Sequence, residues 1–297
     1  MPSPKKIINV ASVPQRSPFR YPGGKTWLVP HVRQWLKSQK KRPIQFVEPF
    51  AGGGIISLTV AFERLSENIL MYELDDAVAS VWKTIFSRNS EWLAKQILEF
   101  EFTAESVKSE LSSSVSSIRQ QAFHTVLRNR VCHGGIMAHG SGFIKNGENG
   151  KGIRSRWYPE TLARRIREIG TVRQSITFVH GDGIEGMKSM IGDSDYVFFI
   201  DPPYTAAGKK AGKRLYQFNE LDHDLLFDTA RSLKGDFLMT YDNAEEVVEM
   251  ARMRGFDTES VPMKNTHHTT MTELLIGRDL DWARKMFKSN EQQKVLF

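Results

Sequence analysis

The feature that most constrains the fold is a glycine-rich turn placed between two short apolar strands. Ile44–Glu48 predicts the first strand, and the turn Pro49–Gly54 that follows it holds three consecutive glycines. A helix is predicted at Ile55–Leu65, because apolar side chains recur on one face, and a second strand at Ile69–Tyr72 runs into the acid Glu73. Strand, glycine turn, helix, strand and acid in this order are the layout of a nucleoside-binding βαβ unit.

The rest of the chain continues this α/β pattern with one interruption. Residues 90–130 are helical and serine-rich, and His133–Gly152 holds seven glycines, so it predicts a long loop instead of a core element. Helix returns at Pro159–Ile169. Further predicted strands are Ile176–His180, Tyr196–Ile200 and Phe237–Thr240, with a helix at Asp222–Leu233 and a closing hairpin of Thr258–Pro262 with Glu273–Ile276. The sequence therefore predicts an α/β fold interrupted by a mainly helical segment.

The residues around the glycine turn favour a cationic nucleoside over a dinucleotide. Their spacing is not G-x-G-x-x-G, and the turn follows Glu48, whose charge would repel a pyrophosphate. S-adenosylmethionine (SAM) fits better, because nearby acids favour its ammonium and sulfonium groups, and Glu73 would accept its ribose hydroxyls. A glycine turn that opens a helix without any ligand is the alternative.

A second chemical motif is the end of the apolar strand at residues 199–204, which reads Asp201-Pro202-Pro203-Tyr204 after Phe-Ile. Two prolines remove two backbone donors and fix two φ angles, so the strand ends there. The rigid loop presents a carboxylate, backbone carbonyls and an aromatic ring, which together suit a planar amine. An ordinary strand-ending turn with a surface tyrosine is the other interpretation.

A third motif is the tight turn Phe19–Lys25, in which Pro22-Gly23-Gly24 precedes a lysine that opens a helix. Lys25 is electrostatically unfavourable at a helix start, because that end already carries partial positive charge. A bound carboxylate, such as the methionine end of SAM, would remove the conflict. A solvated lysine is the simpler alternative.

Composition narrows the class of protein. The formal net charge of +7, from 41 basic and 34 acidic residues, favours a polyanionic partner. The single cysteine, Cys132, excludes an internal disulfide and a cysteine-rich zinc site, and the eight histidines show no ligand spacing, so we expect no metal. The sequence holds no apolar run long enough for a membrane span and no signal-peptide pattern, so a cytoplasmic location is expected.

Taken together, the three motifs resemble those of the Dam-like (D12 class) DNA adenine-N6 methyltransferases. They are Tyr21–Lys25, Val47–Gly54 and Asp201–Tyr204, and they stand in that family's order. The resemblance runs from about residue 19 to residue 278, with patchy matches between the motifs. Those patches are Asn129-Arg130 with Gly134-Gly135, Arg156–Glu160, and the closing strand Glu273–Ile276.

The resemblance implies an architecture. We expect a Rossmann-like SAM-dependent methyltransferase sheet with a mainly helical target-recognition insertion. The expected boundaries are a flexible N-terminal arm at 1–18, a catalytic SAM-binding domain at 19–88 and 174–297, and a DNA-binding insertion at 89–173.

It also implies a role for each matching residue. Asp201 and the Pro202 carbonyl would accept the N–H groups of the target amine, and Tyr204 would stack on the base. The implied cofactor contacts are Tyr21, Lys25, Phe50, Gly52, Gly54, Glu73, Asp182 and Asp201. The candidate DNA contacts are Arg128, Asn129, Arg130, His133, Lys145, Arg154 and Arg156, with a second basic run at Lys209–Arg214.

The activity implied is site-specific methylation of adenine N6 in double-stranded DNA, by base flipping and direct in-line transfer from SAM, with S-adenosylhomocysteine as product. A monomer encoded by a bacterium or phage, of the restriction-modification kind, is expected. His133-Gly134 departs from the aromatic-Asn pair of GATC-specific members, which puts GATC recognition in doubt.

Two other function classes stay open at this point. One is a methyltransferase for an amine in RNA or protein, although relatives that modify glutamine usually carry Asn where this chain has Asp201. The other is a catalytically inactive DNA-binding regulator, against which the three intact motifs argue.

Overall fold

A computed structural model describes residues 10, 12–20, 25–135, 142–145, 147, 150–203, 221–264 and 270–292. Tyr21, Tyr204 and the basic run Lys209–Arg214 lie outside the described residues. In the described part of the chain, no helix is both long enough and apolar enough to cross a membrane.

The described elements are helices, short 3₁₀ turns and strands, which follow one another along the chain. In order they are a 3₁₀ turn Lys25–Leu28, α1 Val29–Ser38, β1 Gln45–Glu48, α2 Ile55–Phe62, β2 Asn68–Glu73, α3 Asp76–Ile85, α4 Ser90–Glu99, α5 Ala104–Ser112, α6 Ile118–Val131, 3₁₀ turns His133–Gly135 and Gly152–Arg156, α7 Pro159–Val172, a 3₁₀ turn Arg173–Ser175, β3 Ile176–His180, α8 Gly183–Ser189, β4 Tyr196–Ile200, α9 His223–Ser232, β5 Asp236–Asp242, α10 Glu245–Met253, β6 Asp257–Lys264, β7 Thr270–Gly277 and α11 Asp281–Gln292.

The described strands form one seven-stranded sheet in the order β3-β2-β1-β4-β5-β7-β6. The first five strands of the chain pair in parallel, whereas β7 runs antiparallel to both β5 and β6. The central strands are apolar on both faces, and Phe46, Val47, Phe198 and Phe199 are fully buried, as expected for a parallel sheet covered on two sides. The predicted α/β fold is confirmed, including the closing hairpin.

Helices cover the two faces of the sheet with separate hydrophobic clusters. Side chains of α8, α9 and α10, such as Met187, Phe227 and Val247, form the cluster on one face. The larger cluster on the other face contains Leu28 and Trp82 from the first helical elements of the chain. Both clusters include strand side chains, so helices hold the sheet in place from both of its faces.

The helical segment between β2 and β3 shares the larger cluster with the sheet. Phe123 of α6 and Leu162 of α7 belong to the same buried cluster as Trp82 and Ile85 of α3. The segment predicted as an insertion therefore packs directly onto the sheet domain, without a separate hydrophobic centre.

Part of the segment predicted as a flexible arm is packed against the rest of the molecule. Val13 and Pro18 are buried, and Val13 belongs to the larger hydrophobic cluster. The Ser17 hydroxyl donates to the Gly53 carbonyl, and Arg165 Nη1 of α7 donates to the Ser17 carbonyl over 2.9 Å. Residues 12–18 are therefore structured, because both the glycine turn and the helical insertion bind them.

Candidate active site

The sheet order reverses between β1 and β4, and ligands of such sheets bind outside the carboxyl ends of the strands at this point. β1 ends at Glu48, β2 ends at Glu73, and Asp201 directly follows β4. Because β1 pairs in parallel with both β2 and β4, the three strands end at the same edge of the sheet. Three acids from distant parts of the sequence therefore converge there.

The turn after β1 needs glycine at two positions. Gly52 and Gly54 have φ angles of 47° and 62°, in the left-handed region that side chains disfavour. A Cβ on Gly54 would lie 2.8 Å from the Trp82 ring, and Trp82 Nε1 donates to the Gly52 carbonyl over 2.9 Å. Phe50 is half-buried against the smaller hydrophobic cluster. The packing of α3 thus holds the turn in one conformation.

Glu73, predicted to bind the ribose, holds this turn in place. Its Oε2 accepts the Gly52 N–H over 2.8 Å, and its Oε1 accepts the Asp75 N–H over 2.9 Å. The residue is 9% exposed, and burial raises its pKa to about 7. Each carboxylate oxygen can accept more than one hydrogen bond, so these contacts leave capacity for a further donor.

Glu48 is a second buried acid, which the sequence analysis did not include among the site residues. It is 3% exposed, and its Oε2 accepts the Ser57 N–H of α2 over 3.0 Å. Burial, together with the charges of Asp201 and Glu73, raises the pKa of Glu48 to about 8. The signal that could have identified it is its place as the last residue of an apolar strand before the glycine turn.

Asp201 lies in a polar network at the end of β4. Its Oδ1 is 3.2 Å from the Lys25 ammonium and accepts the Thr240 hydroxyl of β5 over 2.8 Å. The same ammonium is 3.0 Å from Oε2 of Glu273, on β7. Pro202, which follows Asp201, is buried. The carboxyl group predicted to hold the target amine is thus oriented by Lys25 and Thr240, which come from two separate elements.

Lys25 has two charged protein partners that the sequence does not predict. The sequence suggested that a cofactor carboxylate balances its charge, whereas in the structure the carboxylates of Asp201 and Glu273 lie against its ammonium. Lys25 is 5% exposed, so it is not a solvated lysine either. Its charge at a helix start is balanced by protein acids that stand 176 and 248 positions away along the chain, a pairing that no local pattern reveals.

Asp182 caps α8 next to the glycine turn. Its Oδ1 accepts the Ile184 and Glu185 N–H groups over 2.7 and 3.2 Å, and the residue is exposed. A Cβ on Gly183 would lie 2.0 Å from the Pro49 carbonyl oxygen, so the two turns touch. The structure therefore brings Asp182 to the site while showing that one of its oxygens serves as a helix cap.

The predicted DNA contacts fall into two groups. Asn129 and Arg130 are buried: Asn129 bonds both the N–H and the carbonyl of Arg20, over 2.8 and 2.7 Å, and Arg130 donates to the Pro18 carbonyl. A direct DNA contact would require both side chains to leave these partners. Arg156 is half-buried, whereas the remaining candidates are exposed: Arg128, His133, Lys145 and Arg154.

The buried Arg130 lies among other arginines. Burial, together with the charges of Arg165, Arg20 and Arg156, lowers its pKa to about 9. This part of the insertion therefore concentrates positive charge, in contrast with the acids at the sheet edge.

The acids at the sheet edge fit a cationic cofactor. Glu48 and Glu73 have raised pKa values because burial removes water from their carboxylates, and a positive ligand would restore the ionised forms. SAM carries a sulfonium and an ammonium, which are the groups that these acids favour. Within the described ranges, no group of three or more histidine, cysteine or acidic side chains is arranged to hold a metal ion.

A known protein family matches most of the chain. Residues 21–264 match the model of the D12 class N6 adenine-specific DNA methyltransferase family. None of the curated proteins matches the sequence. Similar solved structures include the rRNA methyltransferase aviRa from Streptomyces viridochromogenes, with 15% identity, a TM-score of 0.41 and coverage of 87% of this chain and 86% of that chain. Precorrin-6y C5,15-methyltransferase from Geobacter metallireducens GS-15 has 10% identity, a TM-score of 0.34 and coverage of 83% and 84%.

Proposed function

This chain belongs to the D12 class N6 adenine-specific DNA methyltransferase family, and we propose that it methylates adenine at a specific sequence in double-stranded DNA. Membership makes it a SAM-dependent adenine methyltransferase; the duplex substrate, the sequence specificity and base flipping are the proposal. The observation that supports this proposal is the position of Asp201, which lies at the switch point of the sheet and beside the glycine turn.

Asp201 and Pro202 hold the adenine amino group. The carboxylate accepts one N–H and the Pro202 carbonyl accepts the other, so the amino nitrogen becomes pyramidal and its lone pair is directed at the methyl donor. The nucleophile is a neutral nitrogen, and correct placement supplies much of the acceleration. The proline pair keeps the two acceptors rigid. In this proposal Tyr204, outside the described residues, stacks on the base.

The glycine turn and the surrounding acids bind the cofactor. SAM supplies the methyl group when it is bound, and S-adenosylhomocysteine is the product. Phe50, Gly52 and Gly54 lie under the methionine portion, Glu73 accepts the ribose hydroxyls, and Asp182 lies near the adenine. Tyr21, by its sequence position, completes this set.

The helical insertion brings DNA to the site. A base inside a duplex must be flipped into the pocket at a cost of about a few kcal/mol, which contacts elsewhere repay. We assign the phosphate contacts to the exposed Arg128, Lys145 and Arg154. We propose that the exposed His133 inserts into the base stack. Asn129 and Arg130 receive a structural role instead, because they bind the segment before Lys25. The enzyme is proposed to act as a monomer.

The test is transfer of labelled methyl from SAM to unmethylated plasmid DNA, followed by nucleoside analysis. Total RNA and a protein mixture serve as competing substrates in parallel reactions. The proposal expects label in DNA, as N6-methyladenine. Label in RNA or protein alone, label on cytosine, or no transfer in any reaction would contradict it.

A further inference from the structure

Glu273 is a buried acid that stands next to three apolar residues on β7. Its neighbours Leu274, Leu275 and Ile276 on β7 are buried, and Glu273 itself is 7% exposed. Burying a carboxyl group is unfavourable unless a partner compensates for the lost water. The residue stands opposite Asp242 of β5 in the sheet register, so its strand neighbour adds like charge.

The compensating partner is Lys25. Oε2 of Glu273 lies 3.0 Å from the Lys25 ammonium, which is itself 5% exposed. The charged groups that face Glu273 are Lys25, Asp201 and Asp242. Burial raises the pKa of Glu273, Asp201 and Asp242 add to the rise, and Lys25 opposes it. The ammonium is thus the favourable contact that a buried Glu273 depends on.

The same ammonium reaches the carboxyl group of the proposed active site. Lys25 Nζ is 3.2 Å from Oδ1 of Asp201, and Thr240 donates its hydroxyl to that same oxygen over 2.8 Å. Two donors from different elements on one oxygen fix the rotation of the Asp201 carboxyl. One of those donors is itself fixed by Glu273.

We infer that Glu273 is a positioning residue for methyl transfer: it holds the Lys25 ammonium against Asp201 and so fixes the orientation in which the Asp201 carboxyl meets the adenine amine. The inference rests on the proposed function, since it gives Glu273 a part in the same reaction. Glu273 acts through Lys25 and does not touch the substrate.

The first test is the variant Glu273→Gln, which keeps the shape of the side chain and removes its charge. We expect kcat for DNA methylation to fall about ten- to a hundredfold, the scale of a lost hydrogen bond between charged groups, while the Kd for SAM changes less than about twofold. Glu259→Gln is the matched control, because Glu259 lies on the partner strand β6, is 10% exposed and pairs with Arg284 at 3.2 Å. It should keep the wild-type kcat.

A double-mutant cycle with Lys25→Met separates this role from a merely structural one. If Glu273 acts through Lys25, the fold-loss from Glu273→Gln disappears in the Lys25→Met background. An equal fold-loss in both backgrounds, a wild-type kcat for Glu273→Gln, or weaker SAM binding with unchanged kcat would each overturn the inference.

A readout that needs no activity is acetylation of lysines by acetic anhydride, quantified by peptide mass spectrometry. Lys25 should be protected in the wild type and in Glu259→Gln, and should react several-fold faster in Glu273→Gln. Unchanged protection of Lys25 overturns the inference even if the wild type methylates no DNA. A wild type that is inactive on DNA, combined with release of Lys25 in Glu273→Gln, would contradict the proposed function and leave the contact between Glu273 and Lys25 supported.

Discussion

The carboxyl edge of the sheet and the helical insertion bury charges of opposite sign. At the sheet edge, burial raises the pKa of Glu48 to about 8 and that of Glu73 to about 7. In the insertion, burial and neighbouring arginines lower the pKa of Arg130 to about 9. Each region therefore holds like charges removed from water. The acids at the sheet edge favour a cationic ligand, whereas Arg130 in the insertion donates to the Pro18 carbonyl within the protein.

The two regions are joined by a short linking segment, residues 16–20. Ser17 donates to the Gly53 carbonyl of the glycine turn, while Asn129 of the insertion bonds both backbone groups of Arg20. The segment leads directly to the turn that carries Lys25. A substitution in one region should therefore leave the other region unaffected only when this linking segment is intact.

The largest effect is expected from Asp201→Asn, at the sheet edge. Transfer to DNA should fall by about a thousandfold or more, the scale on which removal of a positioned hydrogen-bonding group slows an enzyme. SAM and DNA affinities, measured by calorimetry and by fluorescence anisotropy, should stay within a few-fold of wild type. Retained transfer would remove Asp201 from the chemistry.

Asn129→Ala breaks the link between the two regions. It removes the two Asn129 hydrogen bonds to the Arg20 backbone, so the free energy of unfolding should fall by about 2–3 kcal/mol. Urea denaturation gives this value. DNA affinity should fall without a change in the salt slope, because no phosphate contact is lost. A reduced slope would instead mark Asn129 as a phosphate contact.

The acids at the sheet edge predict a pH dependence of SAM binding. A bound cation favours the ionised forms of Glu48 and Glu73, so their raised pKa values fall on binding and affinity should rise about tenfold between about pH 6 and pH 8. Comparison of calorimetric Kd values for the wild type and Glu48→Gln cancels the titration of the ligand itself. An identical pH dependence in both proteins would show that Glu48 does not face the cofactor.

Without ligand, the stability of the folded protein should change with pH in the opposite direction from SAM affinity. Glu48 and Glu73 have folded-state pKa values above the ordinary 4.5, so the folded protein binds more protons than the unfolded chain. Their contribution to stability is full below that ordinary value and is lost as the pH rises through about 7 to 8. Thermal unfolding across this window should show Tm falling without SAM, and falling less with SAM present.

The smallest effects are expected at exposed charges of the insertion. Lys145→Ala and Arg154→Ala should each weaken DNA binding a few-fold and reduce the salt slope by about one. Lys40→Ala is the control, since Lys40 is exposed just after α1, outside the insertion. Unchanged slopes in both insertion variants would remove these residues from the DNA interface.

Local pattern was enough to predict most of the sheet. The strands Ile176–His180 and Tyr196–Ile200 have the bounds that the sequence predicts. The common location of the glycine turn, Glu73 and Asp201 follows from the rule that parallel strands present their carboxyl ends at one edge.

The rest depends on contacts between distant parts of the chain. The prolines of the first residues suggest flexibility, yet Val13 and Pro18 are buried because the insertion and the glycine turn close over them. The contacts of Lys25 with Asp201 and Glu273 could not be predicted, because local pattern does not place those residues beside it. Arg130 was predicted as a DNA contact, and its bond to the distant Pro18 carbonyl could not be predicted from local pattern either.

The most direct test of the account is base analysis of plasmid DNA from cells that lack adenine methylation and express either the wild type or Asp201→Asn. The account predicts N6-methyladenine confined to one sequence context with the wild type, and none with the variant at equal protein level. Methylated cytosine, N6-methyladenine without sequence context, or equal methylation by the variant would contradict it.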